Sequence, residues 1–207
     1  MHNFRKQKIL WLGINLLMVI TMVIIGGITR LTDSGLSMTN WNLIKGIIPP
    51  LNENDWVNLF QTYKQYPEYN IKNFDMTLIE FKKIFFWEYF HRIWGRLVGL
   101  TFFIPLIYLW FKKAFSDSEK KMLILLSFLG LFQAFMGWYM VKSGLADKPD
   151  VSHFRLSIHL STAFLLYSIL LYFFWKLFKS ENSSFRLSNA KHYEIHKRNL
   201  TFSFLLL

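Results

Sequence analysis

Four stretches of this sequence, 9–28, 97–111, 122–141 and 156–175, contain no Asp, Glu, Lys or Arg. That feature constrains the fold more than any other. About 20 apolar residues in a helix, rising about 1.5 Å each, cross the roughly 30 Å hydrocarbon layer of a bilayer. In lipid every backbone N–H and C=O must be satisfied within the protein, and a helix does this segment by segment. The sequence therefore predicts an all-α polytopic membrane protein: an antiparallel four-helix transmembrane bundle, with spans at about 9–28, 84–110, 122–141 and 152–177. A long loop at about 30–83 separates the first two spans. The bundle takes up residues 1–180. Residues 181–207 read as a linker rich in Ser, Asn and Lys, followed by the start of a fifth span. Asn199 to Leu207 is apolar and follows a basic cluster, but has about half the length needed to cross.

The formal charge of +11 would suit a nucleic-acid partner, but its distribution argues against one. Arg5, Lys6 and Lys8 precede the first span. Lys112, Lys113, Lys120 and Lys121 separate the second and third, and Lys176, Lys179, Arg186, Lys191, Lys197 and Arg198 follow the fourth. In an up-down bundle these clusters share one side. The positive-inside rule makes that side cytoplasmic and the 30–83 loop external. The first span is too long for a signal-peptide core and no small-residue cleavage site follows it, so it reads as an uncleaved helix in a bacterial inner (plasma) membrane. The sequence has no cysteine, which excludes disulfides, thiolate metal sites and cysteine nucleophiles.

The loop carries its own signals. Pro49 and Pro50 exclude regular helix around Ile48. The run NENDWVNLFQTYKQY places Trp56, Leu59, Phe60 and Tyr63 at helical spacing, with Asn54 or Asp55 as cap. That short helix is expected on the outer membrane surface or over the mouth of the bundle. Thr77 and Glu80 have capping-box spacing and start a helix that runs into the second span. Pro105 within that span frees a carbonyl that needs a partner.

The stretch EYFHRIWGR, residues 88–96, sets Glu88, His91, Arg92 and Arg96 in the second span. Ionisable groups at membrane depth are costly and are expected to have a partner or a task. His91 lies roughly 8–11 Å inside its span, and His159 lies at a similar depth in the fourth. Two imidazoles at matching depth on two helices of one bundle point to haem, whose iron takes axial histidines from facing helices. Zinc would need more ligands than the spans supply. Either histidine alone would read as an interhelical hydrogen-bonding residue. Gly95 and Gly99 follow His91 at spacings of four and suit close approach of a macrocycle or of another helix. Glu88, Arg92 and Arg96 form a second stripe. One reading is a Glu88–Arg92 ion pair, with Arg96 bound to backbone or snorkelling; the other, which includes Arg155, has arginines meeting haem propionates. Glu88, one turn from His91, is also placed for proton transfer or for stabilising positive charge on a substrate carbon. His153 reads as interfacial. His2, His192 and His196 fall in basic segments without an evident role.

Four stretches carry a family likeness: GGITRLTDSGLSMTNW (26–41), DMTLIEFKKIFFWEYFHRIWGRLVGL (75–100), GWYMVKSGL (137–145) and FRLSIHLSTAFLLY (154–167). In this order they resemble haem A synthase of the mitochondrial and related bacterial type, whose first outer loop lacks the cysteine pair of another branch. The resemblance implies an oxidoreductase that converts the C8 methyl of haem O to a formyl group, giving haem A for cytochrome oxidase. It implies eight spans in two similar four-helix bundles, each with a histidine pair. The N-terminal bundle takes the substrate haem and the C-terminal one a haem b cofactor. On this sequence the resemblance makes His91 and His159 the haem-iron ligands and Glu88 the catalytic glutamate. The second histidine pair is absent, so the chain corresponds to the substrate half, with haem b expected in the other half. Implied partners are haem O, membrane lipid, haem O synthase and cytochrome oxidase assembly factors, with a homo-oligomer or a second half-chain completing the unit. Two other readings use the same histidines: a b-type cytochrome electron-transfer subunit, and a non-catalytic haem-binding or oxidase-assembly half-protein.

Overall fold

A computed structural model describes residues 4–39, 46–145 and 150–204, with side chains as far as Lys179. It contains six helices: α1 (Arg5–Leu31), α2 (Glu53–Tyr63), α3 (Pro67–Lys72), α4 (Leu78–Phe111), α5 (Asp117–Gly144) and α6 (His153–Phe204). Four of them, α1, α4, α5 and the His153–Lys179 part of α6, are long and apolar enough to cross a membrane. The chain is a polytopic membrane bundle. Its helices outrun the predicted spans because polar caps lie outside the apolar blocks. Thr77 and Glu80 form the expected capping box at the start of α4, and Ser116 and Glu119 form another at α5. The cap of α2 is Asn52, not Asn54 or Asp55. Asn52 is extended, and its side-chain oxygen accepts the Asp55 N–H at 2.8 Å.

α6 also departs from the sequence reading. Its backbone remains helical through Phe204, where a linker was expected from residue 181. No glycine or proline occurs between Asp150 and Leu207, so nothing in that stretch breaks the helix. The side chains of His192 and His196, all of His2, Trp41 and Lys148, and those of the expected fifth span lie outside the described residues.

α4 packs on α1, α1 on α6, and α6 on α5. Two hydrophobic clusters anchor this arrangement. One, at the end carrying the chain's N-terminus, joins Trp11, Leu12, Leu16, Leu106, Leu123 and Phe173 with their neighbours. The second gathers Met38, Phe60, Tyr63, Phe81 and Phe85 at the loop end, where α2 packs on the start of α4. Trp56 stands edge-on to Phe85, so the aromatic stripe of α2 faces α4, over the mouth of the bundle.

Polar groups are satisfied where the bundle needs it. Pro105 cannot donate to the Thr101 carbonyl. That oxygen accepts the Trp11 indole N–H at 3.0 Å and the buried Asn15 amide at 3.4 Å, both from α1. Lys8, 6% exposed, donates to Glu119 at 2.7 Å and ties α1 to α5. α1 and α4 end alike. Asp33 (φ 48°) and Lys113 (φ 52°) take the left-handed conformation one residue past the cap. Ser34 N–H then bonds back to Thr29 O, and Ala114 N–H to Leu109 O, each at 3.0 Å. This is the Schellman closure, with side-chain-bearing residues where glycine is usual.

Candidate functional site

The Schellman turn after α1 directs the next residues onto α4. Ser34 and Ser37 are fully buried there, and Glu88 is 2% exposed beneath them. The Ser37 hydroxyl and the Met38 backbone N–H both donate to Glu88 Oε2, each at 2.7 Å. Arg92, one turn further along α4, pairs with Glu88 Oε1. The same Arg92 Nη2 donates to the Met38 carbonyl at 3.0 Å. One ion pair thus holds both backbone groups of Met38. A buried carboxylate is tolerable only when its lone pairs are filled, and three donors fill them here. The Glu88–Arg92 pair expected from spacing is present, and its loop partner is what the spacing did not reveal.

One turn on, His91 leaves α4 against α1. A Cβ at Gly26 would stand 3.3 Å from His91 Nε2. His159 of α6 lies against α5 in the same manner, 3.7 Å from where a Cβ of Gly137 would be. Each histidine therefore packs on a glycine of the neighbouring helix. The Gln133 amide donates to the His159 carbonyl at 3.0 Å, tying α5 to α6 at this level. His159 Nδ1 is buried and, among the described residues, has no hydrogen-bond partner. A buried imidazole nitrogen without a partner costs free energy in a packed interior.

Every residue of α4 from Tyr89 to Arg96 is half-buried. Among the described residues no group of three or more His, Asp or Glu side chains converges on a possible metal ion. The donors present, two imidazoles from two helices, are of the chemical type that haem iron accepts.

The other predicted residues fall as follows. Gly95 faces α1, where a Cβ would meet Met22 at 3.2 Å, so it serves a helix contact; Gly99 has open space in front of it. Arg155 sits over the Tyr139 ring at 4.6 Å. Arg96 is half-buried on α4, and His153 is exposed at the start of α6. The sequence reading missed Gly26, Gly137, Ser37 and the Met38 backbone. All lie inside the quoted stretches, but a helical glycine announces a close approach only once the facing side chain is known.

A second buried carboxylate lies in the loop. Glu68, 4% exposed, accepts from the Tyr63 hydroxyl at 2.9 Å, and Asn73 donates to that hydroxyl oxygen at 2.8 Å. Burial pushes the Glu68 carboxyl up to about 7. Burial and the Glu68 charge also raise Tyr63, which keeps its proton and remains the donor.

Residues 9–207 match the cytochrome oxidase assembly protein family, COX15-CtaA. A Heme A synthase of Flavobacterium psychrophilum is 51% identical over 170 residues, covering 81% of this chain and 50% of that protein. Its counterpart in Flavobacterium johnsoniae is 49% identical over 175 residues, covering 83% and 51%. The Heme A synthase of Nitrosospira multiformis is 49% identical over 176 residues, covering 84% and 49%. The chain thus spans about half the length of these curated relatives. No solved structure matches it. The histidine pair in a four-helix membrane bundle and the match over residues 9–207 lead to one assignment: the chain belongs to the cytochrome oxidase assembly protein family.

Proposed function

We propose that this chain forms the substrate half of a haem A synthase and holds haem O between α4 and α6 at the loop end of the bundle. His91 and His159 would hold it through their imidazoles. The bound haem supplies the C8 methyl that is oxidised to a formyl group. The observation that carries this reading is the paired arrangement of the two histidines on two helices, each seated on a glycine of a neighbouring helix.

Glu88 lies one turn from His91, on the side of the loop. There it sets a fixed negative charge beside the ligand and favours positive charge developing at the methyl carbon. The 30–83 loop covers the external face, and the basic end of the bundle faces the cytoplasm of a bacterial inner membrane. The other half of the family's length is where a haem b electron carrier belongs. Haem O synthase and oxidase assembly factors are the expected neighbours, since one supplies the substrate and the others use the product.

The test is pigment extraction from membranes of cells that make haem O but no haem A, carrying the gene at its full encoded length. Haem A or an oxidised haem O intermediate is expected with the wild type and not with His91→Ala or His159→Ala. Haem O left unoxidised in all three, with haem b as the pigment that copurifies with the wild-type protein, would reject the synthase reading in favour of a b-type cytochrome.

A further inference from the structure

We infer that Ser37 is a positioning residue for this site: the turn at 34–38 clamps Glu88 as a fixed anion, and Glu88 does not carry protons during the reaction. The inference rests on the proposed function for its chemistry and on the geometry of the turn for its structure.

Three observations converge. Ser37 is fully buried and its hydroxyl oxygen lies 3.0 Å from the Ser34 carbonyl and 2.7 Å from Glu88 Oε2, so its single proton is shared toward both, with the shorter contact to the carboxylate, and its position is set by the turn itself. Its contact with Glu88 Oε2 is shared with the Met38 N–H, and Arg92 takes Oε1. Arg92 closes the ring by donating to the Met38 carbonyl. A proton shuttle must release one set of partners and swing to another. Glu88 is held on both oxygens by three donors from two segments, and moving it would break all three contacts together, including the one that satisfies the buried Met38 N–H. A carboxylate held this way suits electrostatic stabilisation, which needs a charge that does not reorganise during the reaction.

The turn also has a fixed origin. Asp33 takes φ 48°, and the Ser34 N–H is bonded to Thr29 O, so the helix end dictates where Ser37 and Met38 arrive. α1 thereby fixes the charge on α4 through seven residues of chain. Ser37 does not touch the ligand level itself. Its effect passes through Glu88.

Amide hydrogen exchange, resolved over residues 33–39, tests the clamp in nanodiscs holding the protein at its full encoded length. Wild type, Ser37→Ala, Ser37→Thr and Glu88→Gln are compared, each also assayed for conversion and binding of haem O. Glu88→Gln and Ser37→Ala should each speed exchange at the Met38 amide about tenfold, the effect of weakening a hydrogen bond to a charged group. Ser37→Thr should restore protection. Turnover should fall about tenfold or more in Ser37→Ala with haem O affinity held within about threefold, and should recover in Ser37→Thr. Unchanged Met38 exchange in Glu88→Gln would overturn the clamp. Faster exchange with full turnover in Ser37→Ala would overturn the positioning role and leave the proposed function standing. A wild type that binds haem O and never oxidises it would remove the proposed function, and the exchange data alone would then decide the clamp.

Discussion

Glu68 gives the sharpest pH prediction. It is buried in the α2–α3 cap with the Tyr63 hydroxyl as its donor, and burial is the main reason that its carboxyl rises from the ordinary 4.5 to about 7. The charges that reach it are Lys72, which opposes the rise and is itself paired with Asp150, and Glu88 and Asp33, which add to it. Because the folded cap holds the proton more tightly than the unfolded loop, the contribution of Glu68 to stability is full below about 4.5, falls as the pH rises, and is gone above about 7. At about 1.4 kcal/mol for each tenfold change in proton affinity, the total is about 3 kcal/mol. Local opening of the cap should therefore become about a hundredfold more frequent between pH 4.5 and pH 8. Hydrogen exchange over residues 53–76 in nanodiscs, corrected for the intrinsic pH dependence of exchange, reads this directly. Glu68→Gln keeps an acceptor for Tyr63 and removes the titration, so its profile should be flat. A flat wild-type profile, or an equal slope in Glu68→Gln, would refute the reasoning.

Three further outcomes follow from the packing. Glu88→Ala removes the carboxylate partner of the buried Arg92 guanidinium, which keeps the Met38 carbonyl, and should cost about 3 kcal/mol; a double-mutant cycle with Arg92→Ala should recover much of that loss, and simple additivity in denaturant melts would show that the two are not coupled. Trp11→Phe removes the stronger donor to the Thr101 carbonyl and should cost about 1 kcal/mol. In a Pro105→Ala background, where the helix supplies its own donor, that cost should shrink, and an unchanged cost would mean that the indole bond is unrelated to the proline. Lys113→Gly relieves a left-handed backbone that glycine adopts freely and should stabilise the α4 end by up to about 1 kcal/mol, seen as a raised Tm; a lowered Tm would count against the strain.

Much of the fold was legible because lipid leaves few options. A charge-free block of helical length has one stable form, and the four blocks gave the four crossing helices. The capping box at Thr77 and the orphan carbonyl before Pro105 were readable for the same reason: each follows from a backbone rule that acts over a few residues. What was not legible depends on partners distant in sequence. Asn52 rather than Asn54 caps α2 because the chain leaving Pro50 is still extended at that point. Asp33 and Lys113 close helices at positions where composition offers no glycine to mark them. The α6 extension ran the other way, since a polar composition suggested a linker while the absence of any breaker left the backbone helical.

The candidate site divides along the same line. His91, His159 and Glu88 stood out because ionisable groups are expensive in an apolar span, a signal carried by each residue alone. The glycines and the serine that make them usable gave no such signal. Gly26 is one of two adjacent glycines near the end of α1, yet a Cβ at Gly27 would touch nothing within 4 Å while one at Gly26 would meet His91. The difference is set by which face of α1 meets α4, and that in turn depends on Trp11, Asn15 and Trp94 binding across the same helix pair. The chemistry-bearing residues are therefore local facts of the sequence, whereas the room they act in is a property of the packed pair of helices. A substitution that spares every histidine and carboxylate but alters the α1–α4 contact should disturb the site as surely as one that removes a ligand.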